Sequence, residues 1–175
     1  MPISIRKAGP TDVEGIAKVH VETMRTTYKG IYPDAFLSSL AVGQVRNRWE
    51  SVYLSPESHD TVYVAEDDSK IVGFVIYGQD RDNDQTYKGE VIGLYILQDM
   101  QRRGIGKQLM RAAGKDLKSQ GIDSMMVWVL ANNPSRGFYE RLGGEHVQTR
   151  SITVGGKQFQ EYGYGWKHFD SILHE

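Results

Sequence analysis

The chain has 175 residues, 39% of them hydrophobic and 25% charged, with a formal net charge of −1 and no cysteine. That length suits one domain, residues 1–175, with a real core, and a charge near zero gives no global field for nucleic acid or an anionic membrane. Without cysteine there is no disulfide, thiolate nucleophile or cysteine-held metal, a composition that fits a reducing, cytoplasmic setting.

No stretch approaches the ~20 apolar residues of a membrane span, and the opening residues Met1 to Arg6 lack the apolar run of a secretion signal. There is no internal repeat. Ile3 to Arg6 alternates as a short strand. Thr11 and Glu14 have the spacing of a capping box, and Val13, Ile16, Ala17, Val21 and Met24 follow at helical spacing. A second helical region is expected over about 33–54, with Gly43 as the break.

Thr61 to Glu66 and Ile71 to Tyr77 read as a hairpin turned at Asp67 to Lys70. A polar loop over 79–88 leads to a third apolar strand, Glu90 to Leu97. Ile105, Leu109, Met110, Ala113 and Leu117 mark an amphipathic helix that Gly121 ends. Ser124 to Leu130 is a buried strand. Asn133 is placed to cap a helix with Pro134 at its first position, carrying Phe138, Tyr139 and Leu142. Two more strands, about 145–154 and 157–167, turn at Gly155-Gly156. The order β-α-α-β-β-β-α-β-α-β-β predicts an α/β, mixed-sheet fold with a parallel pairing between the strands near 90 and 130.

Between the third apolar strand and its helix stands Gln101-Arg102-Arg103-Gly104-Ile105-Gly106-Lys107. A helix N-terminus offers unpaired N–H groups and partial positive charge. Two glycines let an anion approach the backbone, and two arginines add charge, which makes a phosphate or diphosphate cradle. A P-loop is excluded because Gln108 follows Lys107 and Gln101 stands where the first glycine belongs. A dinucleotide fingerprint is excluded because Leu109 occupies the third glycine position. A plain flexible turn is the alternative.

With its flanks, the stretch resembles the GNAT superfamily of acetyl-CoA-dependent N-acetyltransferases. Gln101-Arg102-Arg103-Gly104-Ile105-Gly106 matches the pattern Gln/Arg-x-x-Gly-x-Gly/Ala. Glu90 to Ile96 looks like the family's fourth strand, and Asn132, Ser135, Phe138 and Tyr139 match Asn-x-x-Ala/Ser-x-x-Phe-Tyr. The chain departs at Gln98 and Met100, where Pro and an aromatic residue are common, and at Gly144, where Phe often follows the last helix's glycine. The resemblance implies about seven strands flanked by about four helices, with the fourth and fifth strands splayed. Acetyl-CoA would lie in that splay, its pantetheine along Leu94-Tyr95-Ile96 and its diphosphate on the backbone from Arg102 to Lys107. Asn132 would bond the pantetheine arm, and Gln101, Ser135 and Phe138 belong to the same cofactor-binding set.

The implied reaction is direct attack of a neutral amine on the thioester in a ternary complex. Tyr139 is the candidate general acid. A phenol titrates near ~10 and a thiol near ~8.5, so efficient donation calls for a lowered Tyr139 pKa, with the helix N-terminus and the arginines as the expected cause. The alternative is that Phe138-Tyr139 is an aromatic pair packed on the sheet. Glu90 is the candidate base, acting through water, or else an ordinary solvated carboxylate at a strand end. The N–H of Ile96 is the candidate oxyanion donor. His20 reads as a partly buried helical residue, Trp128 as core, and Arg46 and Arg48 as a solvated face. His59, His146, His168 and His174 lack metal-ligand spacing, so no metal is expected.

Tyr28 and Tyr32, between the first two helical regions, are candidate acceptor-binding residues, with a packed turn as the alternative. Asp80, Asp82 and Asp84 would attract a cationic amine, or simply form a solvated loop. The expected acceptor is a small amine or polyamine, with a protein N-terminus or lysine as the competitor. The rival functions are a catalytically silent acyl-CoA-binding module and a nucleotide-binding enzyme. The outer edge of the closing hairpin is a candidate homodimer contact.

Overall fold

In the computed structural model of the protein, which describes residues 2–174, seven strands share one mixed sheet. They are β1 (Ser4–Lys7), β2 (Thr61–Asp67), β3 (Lys70–Gln79), β4 (Gly89–Ile96), β5 (Met125–Leu130), β6 (Glu145–Val154) and β7 (Lys157–Trp166). Their order across the sheet is β1-β2-β3-β4-β5-β7-β6. Six α-helices lie among the described residues: α1 (Val13–Thr27), α2 (Asp34–Ser39), α3 (Val42–Arg48), α4 (Ile105–Ser119), α5 (Arg136–Arg141) and α6 (Asp170–Leu173).

Alternation along the strands divides the core into two layers. Val62, Val64, Phe74 and Ile76 face α1 and Trp49, the residue that follows α3. Ala65, Val75, Tyr77, Val127 and Val129 face the buried stripe of α4, Ile105, Leu109, Met110, Ala113 and Leu117. Each Val, Ile, Leu, Met or Phe side chain among them contributes about 1.5–3 kcal/mol on burial. Phe169, Ile172 and Leu173, beyond the last strand, close the far side of α4.

Every neighbouring pair is antiparallel except β4 and β5. That parallel pairing is short: Gly89, Glu90 and Val91 stand opposite Met125, Met126 and Val127, and the ladder stops there. Beyond it β4 continues to Ile96 on β3 alone and β5 continues to Leu130 on β7 alone. The register irregularity between Ile76 and Tyr77 places an extra β4 residue, Ile92, at the point of divergence. A bulge bends its strand, and here it coincides with the opening of a gap between β4 and β5.

Three local expectations are corrected. The cap of α1 is not Thr11 with Glu14. Asp12 Oδ2 accepts the Gly9 N–H at 2.8 Å, and both Asp12 oxygens accept from Arg6 at 2.8 Å, while Glu14 is exposed and pairs with Lys18 at 3.2 Å. The break in the second helical region falls at Leu40-Ala41, where the backbone is extended, and Gly43 is inside α3. Arg25 donates to the carbonyls of Leu37 and Leu40 at 3.4 and 2.5 Å, satisfying the end of α2. Asn133 does not begin α5. Its Oδ1 accepts the Ser135 N–H at 2.8 Å in a turn, and the helix starts at Arg136.

Candidate active site

The glycine stretch lies against the open half of β4. Gln98 to Met100 makes one 3-10 turn, and Gln101 Nε2 then donates to the Ile96 carbonyl at 3.1 Å, tying the loop to the strand end. Arg102 and Gly104 have φ of 61° and 76°. Such values suit glycine and strain arginine. The first helical bond runs from the Gln108 N–H to the Gly104 carbonyl at 3.1 Å, so the amides of Ile105 and Gly106 precede the ladder. Gln101, Arg102, Arg103 and Gly104 are exposed, and Lys107 is half-buried on the first turn of α4. Exposed guanidiniums beside such amides have the chemistry to hold an anion. Gly106 has a further reason to lack a side chain: a Cβ there would stand 3.1 Å from Phe138 Cζ and 3.2 Å from Ile96 Cδ1.

Leu94, Tyr95 and Ile96 pair with Val75, Phe74 and Gly73 on one side and, among the described residues, with no strand on the other. Tyr95 folds back over Gly93, where a Cβ would stand 2.6 Å from Tyr95 Cε2, and its ring lies 4.8 Å from His20. His20 accepts from Trp49 Nε1 through Nδ1 at 3.0 Å. Burial, then the charge of Arg48, lowers its pKa to about 4, so it is a neutral packing residue at neutral pH.

Tyr139 sits on the α4 side, its ring 5.1 Å from Phe138 and 6.3 Å from Tyr164. Its pKa is raised, by burial first and then by Tyr28, which reverses the expected lowering. The arginines meant to lower it are exposed on the glycine loop, whereas the phenol is in the core cluster. Tyr28 belongs to the cluster on the other face, with Tyr32, Leu37 and Leu130. Tyr28 and Tyr139 thus belong to clusters on opposite faces of the sheet.

The acceptor-side candidates come together. Tyr28 and Tyr32 stack with ring centres 4.4 Å apart, Tyr32 meets Phe159 at 5.1 Å, and the Tyr28 hydroxyl accepts from Asn133 Nδ2 at 3.4 Å. Burial raises the pKa of both phenols. Asn132 and Ser135 are exposed on the loop before α5.

Glu90 is not with them. It is 2% exposed in the paired half of β4, and its two oxygens accept from Arg81 Nη2 at 2.7 Å and Nε at 3.0 Å. It is neither at the open end nor solvated. The acidic run also divides. Asp80 accepts the Asp84 N–H, Asp84 accepts the N–H groups of Thr86 and Tyr87 and reaches β6 by accepting from Gln148 Nε2 at 2.8 Å, and Asp82 reaches Arg150 at 3.7 Å.

Sequence reasoning passed over a cross-strand pair on the face of the sheet that holds Tyr28 and Tyr32, Arg150 Nε donating to Glu161 Oε2 at 2.7 Å. The signal was present. A two-residue Gly-Gly turn sets Val154 opposite Lys157, and counting outward places Arg150 opposite Glu161. The Arg150 guanidinium also lies 4.0 Å over the Trp128 ring.

The profile of the Acetyltransferase (GNAT) family matches residues 22–144. The uncharacterized N-acetyltransferase YuaI of Bacillus subtilis (strain 168) is 34% identical over 171 residues, covering 97% of this chain and 96% of that one. The spermidine N(1)-acetyltransferase of Thermoplasma acidophilum is 29% identical over 145 residues, 79% of this chain and 84% of that one. Among solved structures, the PaiA N-acetyltransferase of Thermoplasma acidophilum in complex with coenzyme A superposes with a TM-score of 0.69 at 26% identity, covering 92% of this chain and 98% of that one. Splayed strands, a glycine turn at the head of α4 and these relatives agree: the chain belongs to the GNAT family of acetyltransferases and is an acyltransferase.

Proposed function

We propose that the protein transfers an acetyl group from acetyl-CoA to the primary amine of a small molecule, a polyamine or similar amine, in a ternary complex. The observation that carries this reading is the unpaired edge of Leu94 to Ile96 running into the Gly104 turn. An extended amide chain adds to such an edge as a further strand, and the diphosphate that ends it meets the amides at the head of α4 and the exposed Arg102 and Arg103. Asn132 and Ser135 flank the far wall before α5, and Phe138 packs under the turn. Acetyl-CoA supplies the activated thioester.

This chain's residues supply position and protons. An edge amide, with Ile96 as the candidate, stabilises developing charge on the carbonyl oxygen. Tyr139, whose raised pKa keeps it protonated at neutral pH, donates to the departing sulfur and recovers its proton from the attacking nitrogen. Proton gain and loss at one phenol balance, so its high pKa does not strand a charge. Both Glu90 oxygens are engaged by Arg81, so the amine enters as its free base rather than losing a proton to Glu90. Tyr28 and Tyr32 wall the acceptor side. The sequence similarity to a spermidine N(1)-acetyltransferase supports the amine class.

Thermal unfolding with acetyl-CoA, CoA, ATP and NAD tests the donor. A ligand at about 100 times its Kd adds roughly 2.7 kcal/mol, a shift of about 5–10 °C for a domain of this size. A shift with the two CoA compounds alone supports the reading, and a larger shift with ATP overturns it. An acceptor panel tests the amine, since faster acetylation of peptides than of small amines removes the small-molecule assignment.

A further inference from the structure

We propose that Glu161 selects the acceptor, binding the second, protonated nitrogen of a diamine while the first nitrogen reacts. The inference rests on the small-amine reading above and names the residue and the substrate feature that reading leaves open.

Placement is the first argument. Glu161 stands opposite Leu130 on β5, and Leu130 packs with Tyr28 and Tyr32. Phe159, two residues earlier and so on the same face of β7, meets the Tyr32 ring at 5.1 Å. The Glu161 carboxylate is among the causes that raise the pKa of Tyr28 and of Tyr32. The carboxylate therefore belongs to the tyrosine-walled side of the gap, one strand spacing, about 4.8 Å, beyond β5.

Charge is the second. Glu161 Oε2 holds Arg150, and Arg150 in turn reaches Asp82, so one cation lies between two carboxylates. The group carries one net negative charge. The Arg150 guanidinium is fixed on Trp128, and Glu161 Oε1 has no hydrogen bond among the described residues. The Glu161 side chain is only 15% exposed, so a charge placed against it is weakly screened. Asp84 accepts from its own loop and from Gln148 on β6, and Asp80 holds the Asp84 N–H with its other oxygen buried, so neither competes.

Chemistry is the third. A carboxylate favours the protonated form of an amine it touches, and a protonated nitrogen has no lone pair with which to attack. Glu161 would inhibit the reacting nitrogen if it bound that one. It helps only by holding a different cation, set back from the gap by a short carbon chain. A molecule with two amines separated by a few carbons meets both conditions, and a monoamine meets one.

The test is the ratio of kcat/KM for 1,4-diaminobutane to that for butylamine, with acetyl-CoA saturating. The wild type is expected to favour the diamine, and Glu161→Gln to cut the ratio about 10- to 100-fold, the range for one hydrogen bond to a charged group. Arg150→Gln, which leaves Glu161 unneutralised, is expected to move the other way and lower KM for the diamine several-fold. A purely structural ion pair would respond alike to both changes, so parallel losses overturn the inference. Arg150→Gln also decides the matter if Glu161→Gln does not fold. Turnover of both amines with no dependence of the ratio on residue 161 overturns this inference and leaves amine acetylation standing. Turnover of neither amine, in protein that still binds CoA, overturns both.

Discussion

A methyl group on Gly106 would stand 3.1 Å from Phe138, closer than carbon atoms normally pack. Gly106 and Phe138 thus set how near the head of α4 comes to the helix bearing Tyr139. Gly104 differs. A Cβ there meets only Gln108 Nε2 at 4.0 Å, but its φ is 76°. Gly104→Ala is expected to cost about 1–2 kcal/mol of backbone strain. Gly106→Ala gains up to about 1 kcal/mol of helix propensity while pushing Phe138 and Ile96 aside, so its stability changes little and its KM for acetyl-CoA rises. Melting curves set against acetyl-CoA titrations separate the two, and a Gly106→Ala variant with normal KM would show that the close approach is unimportant to the donor site.

Tyr139→Phe is expected to lower kcat by about 10²- to 10⁴-fold with CoA affinity retained. Because burial raises the pKa of the phenol, it remains an acid past the ordinary value near ~10. The kcat profile should show no falling limb from this group below about pH 10. A descending limb near pH 8 that vanishes in Tyr139→Phe would mean the phenol titrates low in the working complex.

His20 makes the protein sensitive to acid. Its pKa is about 4 in the folded chain, against 6.5 in the open. As pH falls below 6.5 the unfolded chain binds a proton that the folded one refuses, so stability is lost between about 6.5 and 4. At pH 5 the loss amounts to about 2 kcal/mol. His20→Gln should flatten the melting temperature over this range at some cost in packing against Trp49. An equally steep profile in the variant would move the effect to another group.

Glu90→Gln should act on stability rather than chemistry. The carboxylate is 2% exposed, but Arg81 is 52% exposed, and solvent screening discounts the pair to about 1 kcal/mol. A melting point lower by a few degrees, with kcat changed less than tenfold, is the expected pairing. A loss of kcat as large as that of Tyr139→Phe would restore Glu90 as the base.

What could be read from the chain follows from the range of each interaction. The stripe Ile105, Leu109, Met110, Ala113 and Leu117, the Gly104 turn and the Gly155-Gly156 hairpin are local patterns, and all three stand as read. The Asp12 cap needed Arg6 and Glu66, 6 and 54 positions away, to hold it. Glu90 looked like a strand-end carboxylate because Arg81, nine residues back, sits in a loop whose course the sequence does not give. The Tyr139 pKa failed for the same reason: its burial and its exposure to Tyr28 exist only after two distant helices close on the gap.

The tip of the last hairpin has a consequence for altering this enzyme. A Cβ on Gly155 would stand 3.0 Å from Phe36 and 3.1 Å from Pro33, so the hairpin rests on the segment that follows Tyr28 and Tyr32. On the proposed reading of Tyr28, Tyr32 and Glu161, a transplant of new acceptor preference from a relative would have to carry residues 28–36 and 145–166 as one unit. Grafting either alone would set a foreign surface against a contact with no slack, whereas the glycine turn at 101–107 could stay in place.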